Sequence, residues 1–268
     1  MQLDTNNTEM KITSKLAAIA SAMFLSAGIM CAQAPILIHS HNDYKRSVPF
    51  YQAYAQGVAS VEADIHYGGG RLLVGHDAKD LVESKTLESL YLAPIARFVR
   101  ENGGHPYKDP NKPLQLLVDI KNDTEPSLST IIDLVKTRYS DVFCTGSVRI
   151  IITGNRPKPE DFCKYPEWVM FDGLLSNTYD KEQLERVALI SECFTDFAKW
   201  NGVGFIAPEQ ETALRKAIDK AHRMGKTIRF WGGPETLTAY STFYNLGIDY
   251  FNTDLPEQCT DFFSKLGK

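Results

Sequence analysis

The first half of the chain contains four short motifs whose side chains suit acid–base and metal chemistry. In chain order they are His39-Ser40-His41-Asn42, Glu62-Ala63-Asp64, His76-Asp77 and Asp119-Ile120-Lys121. Histidine titrates near neutral pH, so it suits both a general base and a general acid. Two buried carboxylates repel each other unless a proton or a cation neutralises them, and a hard divalent cation does so with oxygen ligands.

The spacing within the first two motifs predicts that their side chains converge. His39 and His41 are two residues apart, and so are Glu62 and Asp64. Residues at this spacing point to the same face of an extended chain. The first motif therefore offers two histidines to one site, and the second offers two carboxylates.

The other two motifs complete this set. A glycine turn at 68–70 folds the chain back and brings His76 beside the carboxylates, while Asp119 is placed to complete a metal shell and Lys121 to hold a phosphate oxygen. These roles fit phosphodiester cleavage, in which one histidine deprotonates the attacking hydroxyl and another protonates the leaving oxygen. A metal ion would acidify the nucleophile and stabilise the charged transition state.

The motifs lie at the ends of predicted strands in a chain where strands and helices alternate. We predict strands at 35–40, 59–66, 71–75, 114–120, 148–153, 168–174, 226–231 and 248–252, and helices at 49–56, 86–101, 127–139, 209–224 and 235–245. Residues 181–191 are ambiguous and leave the sixth barrel strand unplaced. The alternation predicts an α/β protein with a (β/α)8 TIM-like barrel, whose active site lies at the carboxyl ends of the strands. An open doubly wound sheet is the alternative, but no glycine-rich phosphate loop follows the first strand.

These motifs resemble the PLC-like phosphodiesterase superfamily, which contains phosphatidylinositol-specific phospholipases C and glycerophosphodiester phosphodiesterases. The resemblance is closest to its altered-inheritance-of-mitochondria branch. The matching segments are HSHNDY at 39–44, VEADIH at 61–66, LLVGHD at 72–77, D-x-K at 119–121 in place of the family's E-x-K, and NTDLP at 252–256. The H-R-G and P-E-N-T elements of the glycerophosphodiesterases are absent.

The resemblance implies a metal-dependent phosphoric diester hydrolase acting on a glycerophosphodiester, a phosphoinositide or a related phospholipid headgroup. It implies His41 and His76 as catalytic residues, with His39 as the alternative to His41; we favour His41 because Asn42 follows it. The implied metal ligands for Ca²⁺ or Mg²⁺ are Glu62, Asp64, Asp119 and Asn42.

Later residues offer contacts for the substrate. Arg229 is placed to hold phosphate or a barrel carboxylate, Trp231 to form an apolar wall, and Lys121 to bind phosphate. Asn155 and Arg156 follow the fourth strand and are weaker candidates.

Three other functions compete with this hypothesis. An amidohydrolase or a PHP-type hydrolase also begins with H-x-H, but it needs further histidine ligands on later strands, and only His222 follows residue 105. A non-catalytic binding protein with a retained site is a second alternative. A sphingomyelinase D-like activity within the same superfamily is a third.

Composition restricts the partners and the location. The net charge is -4 and there is no basic block, which disfavours nucleic acid and leaves membrane contact at most peripheral. A cationic, then apolar, then small-residue N-terminus predicts a signal peptide over 1–34, with Met10 as a candidate true start, and export of a barrel over 35–268. A lipoprotein anchored at Cys31 is the less favoured alternative, because Met30 precedes it. Four cysteines remain in the exported part, and their pairing cannot be read from the sequence.

Overall fold

The computed structural model describes residues 35–267. The signal peptide, the start at Met10 and lipidation at Cys31 lie outside the described residues and stay predictions. Within the described range no helix is both long and apolar enough to cross a membrane.

Eight parallel strands close into a barrel, which confirms the predicted (β/α)8 fold. The described residues form nine strands, and all of them except β3 belong to the barrel. In chain order the strands are β1 Leu37–Ser40, β2 Ser60–Gly68, β3 Arg71–Val74, β4 Gln115–Ile120, β5 Arg149–Gly154, β6 Val169–Gly173, β7 Val187–Cys193, β8 Thr227–Trp231 and β9 Tyr250–Thr253. The barrel closes because β1 pairs in parallel with both β2 and β9. β3 stands apart from the ring and pairs antiparallel with the end of β2.

The inward face of the barrel changes from apolar to polar along each strand. Near the amino ends, the side chains form a small buried cluster of Ala59, Leu117, Ile151, Leu189 and Tyr250. Two residues further along, the same face carries polar groups such as Asp119, Thr153, Ser191 and Asn252, because side chains at a spacing of two share a face. The apolar side chains near the amino ends fill the barrel interior. The polar side chains two residues further along form the bottom of a polar site at the carboxyl ends.

The helices pack around this barrel over a larger buried core. They are α1 Tyr51–Ala55, α2 Ala93–Glu101, α3 Thr124–Arg138, α4 Ser140–Phe143, α5 Lys181–Glu185, α6 Pro208–Arg223, α7 Leu237–Leu246 and α8 Pro256–Lys265. The helix predicted over 86–101 is divided: a wider turn over Glu88–Leu92 leads into α2, which has Pro94 in its first turn.

Two segments were unresolved in the sequence or missed. The ambiguous residues 181–191 form α5 and then β7 with only Arg186 between them. The terminal helix α8 was not predicted. The four cysteines of the described part are all free, so the disulfides that the sequence left open do not form here.

Candidate active site

The carboxyl ends of the strands surround a cavity of about 490 Å³. Eight residues predicted from the sequence line it: His41, Glu62, His76, Asp119, Lys121, Arg156, Arg229 and Trp231. Five more lining residues are Thr153, Gly154, Asp172, Leu174 and Ser191. Of the remaining predicted residues, His39 and Asp64 lie buried against this lining, and Asn42 lies beside His41. The structure thus brings the four motifs together.

His39 is completely buried, and both of its ring nitrogens have partners. Nδ1 is 2.7 Å from Ser60 Oγ, and Nε2 lies 2.8 Å from Arg229 Nη1 and 3.1 Å from Glu62 Oε2. Burial, together with the Arg229 charge, lowers the pKa of His39 to about 4. His39 is therefore neutral near pH 7 and does not line the cavity, so it is placed as a structural link between strands.

His41 follows the end of β1 and borders the cavity. Its Nδ1 lies 2.8 Å from Asp254 Oδ1, and its Nε2 lies 3.7 Å from Glu62 Oε2. Burial alone would lower the pKa of His41, but the hydrogen bond to Asp254 and the charge of Glu62 raise it above its ordinary value. Because the Asp254 carboxylate can only accept, this contact favours the tautomer of the neutral ring with the proton on Nδ1 and with Nε2 as the free base.

His76 is held in the same way by a different carboxylate. Its Nδ1 is 2.8 Å from Asp64 Oδ2, which also accepts the Tyr44 hydroxyl at 2.8 Å. Asn42 Oδ1 accepts from the same hydroxyl at 2.7 Å. The Tyr44 hydroxyl thus links Asn42 to the carboxylate cluster, and the role of Asn42 as a metal ligand stays a prediction.

Glu62, Asp64 and Asp119 form one carboxylate cluster. Oxygens from all three lie within 4.8 Å of one another. Burial, together with the neighbouring Asp64 charge, raises the pKa of Asp119 to about 6, despite the opposing charge of Lys121. Asp119 Oδ1 is buried without a hydrogen-bond partner among residues 35–267. A set of oxygen donors with one orphaned atom fits a hard divalent cation.

Two cations partly neutralise the cluster. Lys121 Nζ is 3.0 Å from both Asp64 Oδ2 and Asp119 Oδ2, and Arg229 Nη1 is 3.6 Å from Glu62 Oε2. Two cations against three carboxylates leave one negative charge, so an additional cation is still attracted. Both side chains are thus engaged with carboxylates, while Trp231 stays 43% exposed on the cavity wall.

A family model described as AIM6-like phosphodiesterase domain matches residues 28–157. Altered inheritance of mitochondria protein 6 of Eremothecium gossypii is 29% identical over 272 residues, covering 82% of this chain and 68% of that protein. The Arthroderma benhamiae homolog is 28% identical over 256 residues, covering 82% of this chain and 81% of that one. This chain is thus similar to AIM6-like phosphodiesterase domains over residues 28–157 and to altered inheritance of mitochondria protein 6 over most of its length.

Solved glycerophosphodiester phosphodiesterases share the fold of this chain. The enzyme of Parabacteroides distasonis superposes with a TM-score of 0.55 at 14% identity, covering 88% of this chain and 100% of that one. The Agrobacterium tumefaciens enzyme superposes with a TM-score of 0.50 at 13% identity, covering 84% and 100%. At such identities the likeness shows a common barrel.

The phosphodiesterase-domain match contains six of the predicted residues that line the cavity, and it ends before β6. Asp254, which holds His41, lies beyond the matched range. The NTDLP segment pointed to this position without giving it a role. Sequence reasoning also missed Tyr44 as the link between Asn42 and Asp64, and Asp172, which is buried and pairs with Arg156 Nε at 3.0 Å.

Proposed function

We propose that this phosphodiesterase-family barrel is a metal-dependent phosphoric diester hydrolase with two catalytic histidines. One observation supports the proposal above others. His41 and His76 each have Nδ1 fixed by a carboxylate, and both border one cavity that also contains the Glu62, Asp64 and Asp119 cluster. Two fixed imidazoles beside an anionic cluster suit the transfer of protons at two different oxygens of one phosphodiester.

The proposed first step uses a hydroxyl of the substrate itself. His41 Nε2 takes the proton of a hydroxyl next to the phosphate, whose oxygen bonds to phosphorus. The bond from phosphorus to the leaving oxygen breaks, and His76 gives that oxygen a proton. Water then opens the resulting cyclic phosphate with the two histidines in reversed roles.

Ser40, the serine between the two histidines of the first motif, is not placed as a nucleophile. Ser40 is fully buried; its Oγ donates to Asp43 Oδ1 at 2.8 Å and accepts from Arg46 Nε at 3.2 Å. This placement agrees with the expectation that Ser40 points away from the face of its neighbouring histidines. A requirement for a vicinal hydroxyl in the substrate follows.

Glu62, Asp64 and Asp119 would hold the divalent cation, Ca²⁺ or Mg²⁺, which when bound supplies positive charge to the phosphate oxygens and acidifies the attacking hydroxyl. In its absence, this chain's own residues still orient the substrate. Lys121 lies between two of the carboxylates, and Trp231 offers an apolar face to a glycerol, inositol or acyl group. The substrate class is accordingly a glycerophosphodiester, a phosphoinositide or a related headgroup, encountered after export from the cell.

The test compares three histidine variants with turnover and stability read separately. His41→Ala and His76→Ala should each lose about 10²- to 10⁴-fold in kcat, because each removes a general acid–base group. His39→Ala should instead lower the free energy of unfolding by about 2 kcal/mol, because it removes a fully buried side chain together with its contacts to Ser60 and Arg229. His105→Ala, on an exposed loop, is the control.

The assay follows release of the headgroup from glycerophosphodiesters in the presence of Ca²⁺ or Mg²⁺. If His41→Ala and His76→Ala keep wild-type activity on every diester that the wild-type protein hydrolyses, the assignment of these two histidines as catalytic residues would be refuted. An inactive but stable His39→Ala beside an active His41→Ala would exchange their roles.

A further inference from the structure

A second cavity of about 280 Å³ lies beside the catalytic cavity. Its lining residues are Tyr44, Lys45, Arg46, Val74, Gly75, His76, Asp80, Lys85 and Leu90. We call this second cavity the side pocket. His76, the proposed general acid, lines both cavities, so the side pocket lies directly beside it. A substituent of a diester bound beside His76 can therefore extend into it.

The side pocket has two lysines that are free to bind a ligand. Lys45 and Lys85 are both exposed, and neither forms an ion pair with any residue that the structure describes. Asp80 is the one carboxylate in the described lining. The pocket therefore carries a net positive charge, in contrast to the carboxylate cluster of the catalytic cavity.

The remaining cation of the lining has a structural task. Arg46 Nη1 donates to both oxygens of Glu257 at 3.1 Å, and Nη2 donates to the Asp254 carbonyl at 2.8 Å. Arg46 Nε also lies 3.3 Å from Asp43 Oδ1. These bonds leave Lys45 and Lys85 as the groups available to a ligand.

The backbone holds both lysines beside the pocket. The Lys45 amide donates to the Asn42 carbonyl at 2.9 Å, within the short 3-10 helix that follows the catalytic histidine. The Lys85 carbonyl accepts from the Val74 amide at 2.8 Å, next to a bridge between Leu73 and Thr86. Only the flexible ends of the two lysines must adjust when an anion enters.

We propose that the side pocket binds a second anionic group of the substrate, a phosphomonoester or a carboxylate, carried by the alcohol on one side of the diester. The inference rests on the proposed diesterase function and specifies its substrate. An ammonium pair binds either anion by charge, and the pocket has room for one such group beside the diester. The enzyme then prefers diesters with an extra negative charge over otherwise similar neutral ones.

Two pairs of substrates test this preference and separate its sources. One pair is glycerophosphoinositol monophosphate against glycerophosphoinositol, which differ by a phosphomonoester. The other is glycerophosphoserine against glycerophosphoethanolamine, which differ by a carboxylate. For at least one pair, wild-type kcat/KM should favour the more anionic member about tenfold, the effect expected of two partly exposed charges. The pair that shows the preference identifies the anion.

The double variant Lys45→Met/Lys85→Met should reduce that ratio to near one. Lys79→Met is the matched control. Lys79 is an exposed lysine in the same segment between β3 and α2 as Lys85, but it pairs with Asp77 and does not line the pocket. An absent preference in both wild-type pairs, or a ratio kept by the double variant, would overturn the inference.

A binding measurement keeps this inference separate from the diesterase proposal. Calorimetric titration with inositol monophosphate should show affinity that the double variant loses and Lys79→Met keeps. Lysine-dependent binding without turnover of any of the four diesters would count against the proposed reaction and in favour of the pocket. Turnover of the diesters, combined with binding of inositol monophosphate that does not depend on the two lysines and with no preference for the more anionic substrates, would support the proposed reaction and count against the pocket.

Discussion

The two cavity histidines are held by carboxylates of different kinds. Asp64 belongs to the carboxylate cluster and also accepts from Tyr44 and Lys121. Asp254 is outside the cluster, and burial of its carboxyl is outweighed by the hydrogen bond from His41, so its pKa is lowered. Changing Asp254 therefore tests the orientation of His41 without removing a proposed metal ligand.

Asp254→Asn should shift the pH profile of kcat/KM. The Asp254 hydrogen bond and charge help raise the pKa of His41, and the amide supplies no charge. The pKa of His41 should fall, so the acidic limb, where the base becomes protonated, should move to lower pH. The maximal rate should also fall, because the imidazole is less firmly oriented.

The measurement is kcat/KM across the acidic limb for both proteins. Asp261→Asn, on the surface of α8 and paired with Lys265, is the control and should leave the limb in place. A limb that moves to higher pH in Asp254→Asn, or stays unchanged, would show that Asp254 does not act on the essential base.

At the residue scale, the sequence predicted which residue types meet but not their separate tasks. A spacing of two suggested equivalent roles for His39 and His41. The difference arises because β1 ends at Ser40, which leaves His39 inside the barrel and His41 at its mouth. The sequence also did not predict that Lys121 lies between Asp64 and Asp119, a contact that depends on the register of β2 with β4; its contact with phosphate stays a prediction.

At the scale of elements, Gly154 ends β5 and makes room for the carboxylate cluster. Its φ is +68°, and a Cβ built on it would lie 2.0 Å from Asp119 Oδ1 and 2.7 Å from the Ile120 carbonyl. Gly146 has a similar backbone, with φ +81°, but a Cβ there would meet nothing within 4 Å. The two glycines therefore separate backbone strain from close approach.

Gly154→Ala should destabilise the protein more than Gly146→Ala. Both substitutions place alanine at positive φ, at a cost of about 1 kcal/mol. Gly154→Ala should lose a further ~1–3 kcal/mol, because Asp119 and the neighbouring backbone must move. Denaturant unfolding measures the free energies, and calcium titration should show weaker binding in Gly154→Ala alone. An equal loss of unfolding free energy in both variants would mean that the site accommodates the added methyl group at position 154 without displacing Asp119.

Elements were predictable where their periodicity was long enough. The antiparallel return of β3 followed from three glycines, and α6 from its amphipathic pattern and the closing Gly225. The segment 181–191 could not be predicted because a five-residue helix and part of a strand lie within eleven positions. That is too few residues for a helical or a strand periodicity to be recognised. The terminal helix α8 begins at Pro256, and its short polar first turn masked the pattern.

At the scale of the molecule, barrel closure creates contacts that no local pattern contains. His39 meets Arg229, 190 residues later, and His41 meets Asp254, 213 residues later. The first contact reaches β8, one strand beyond β9, and the second reaches the residue directly after β9, which pairs with β1. The alternation of strands and helices predicted closure, but the partners of each histidine depend on which residues are level across neighbouring strands.

The pKa of Asp119 links the carboxylate cluster to the stability of the whole barrel. An unfolded aspartate titrates near pH ~3.9. Burial and the Asp64 charge raise the folded value to about 6, so the folded state holds this proton more tightly. In metal-free protein, the Asp119 contribution to the free energy of unfolding should therefore fall as pH rises from about 4 to about 6.

Asp119→Asn should remove this contribution, whereas a divalent cation should reverse it in the wild type. The amide has no proton to lose between these pH values, and Ca²⁺ or Mg²⁺ stabilises the ionised carboxylate of the folded state. His39 contributes with the opposite sign over the same range, since its folded pKa is lowered to about 4, but it is present in both proteins and cancels in their difference. Denaturant unfolding with chelator and with cation, using exposed Asp133→Asn as the control, measures that difference. If chelated wild type and Asp119→Asn depend equally on pH, and the cation stabilises both alike, Asp119 neither carries a raised pKa nor binds the metal.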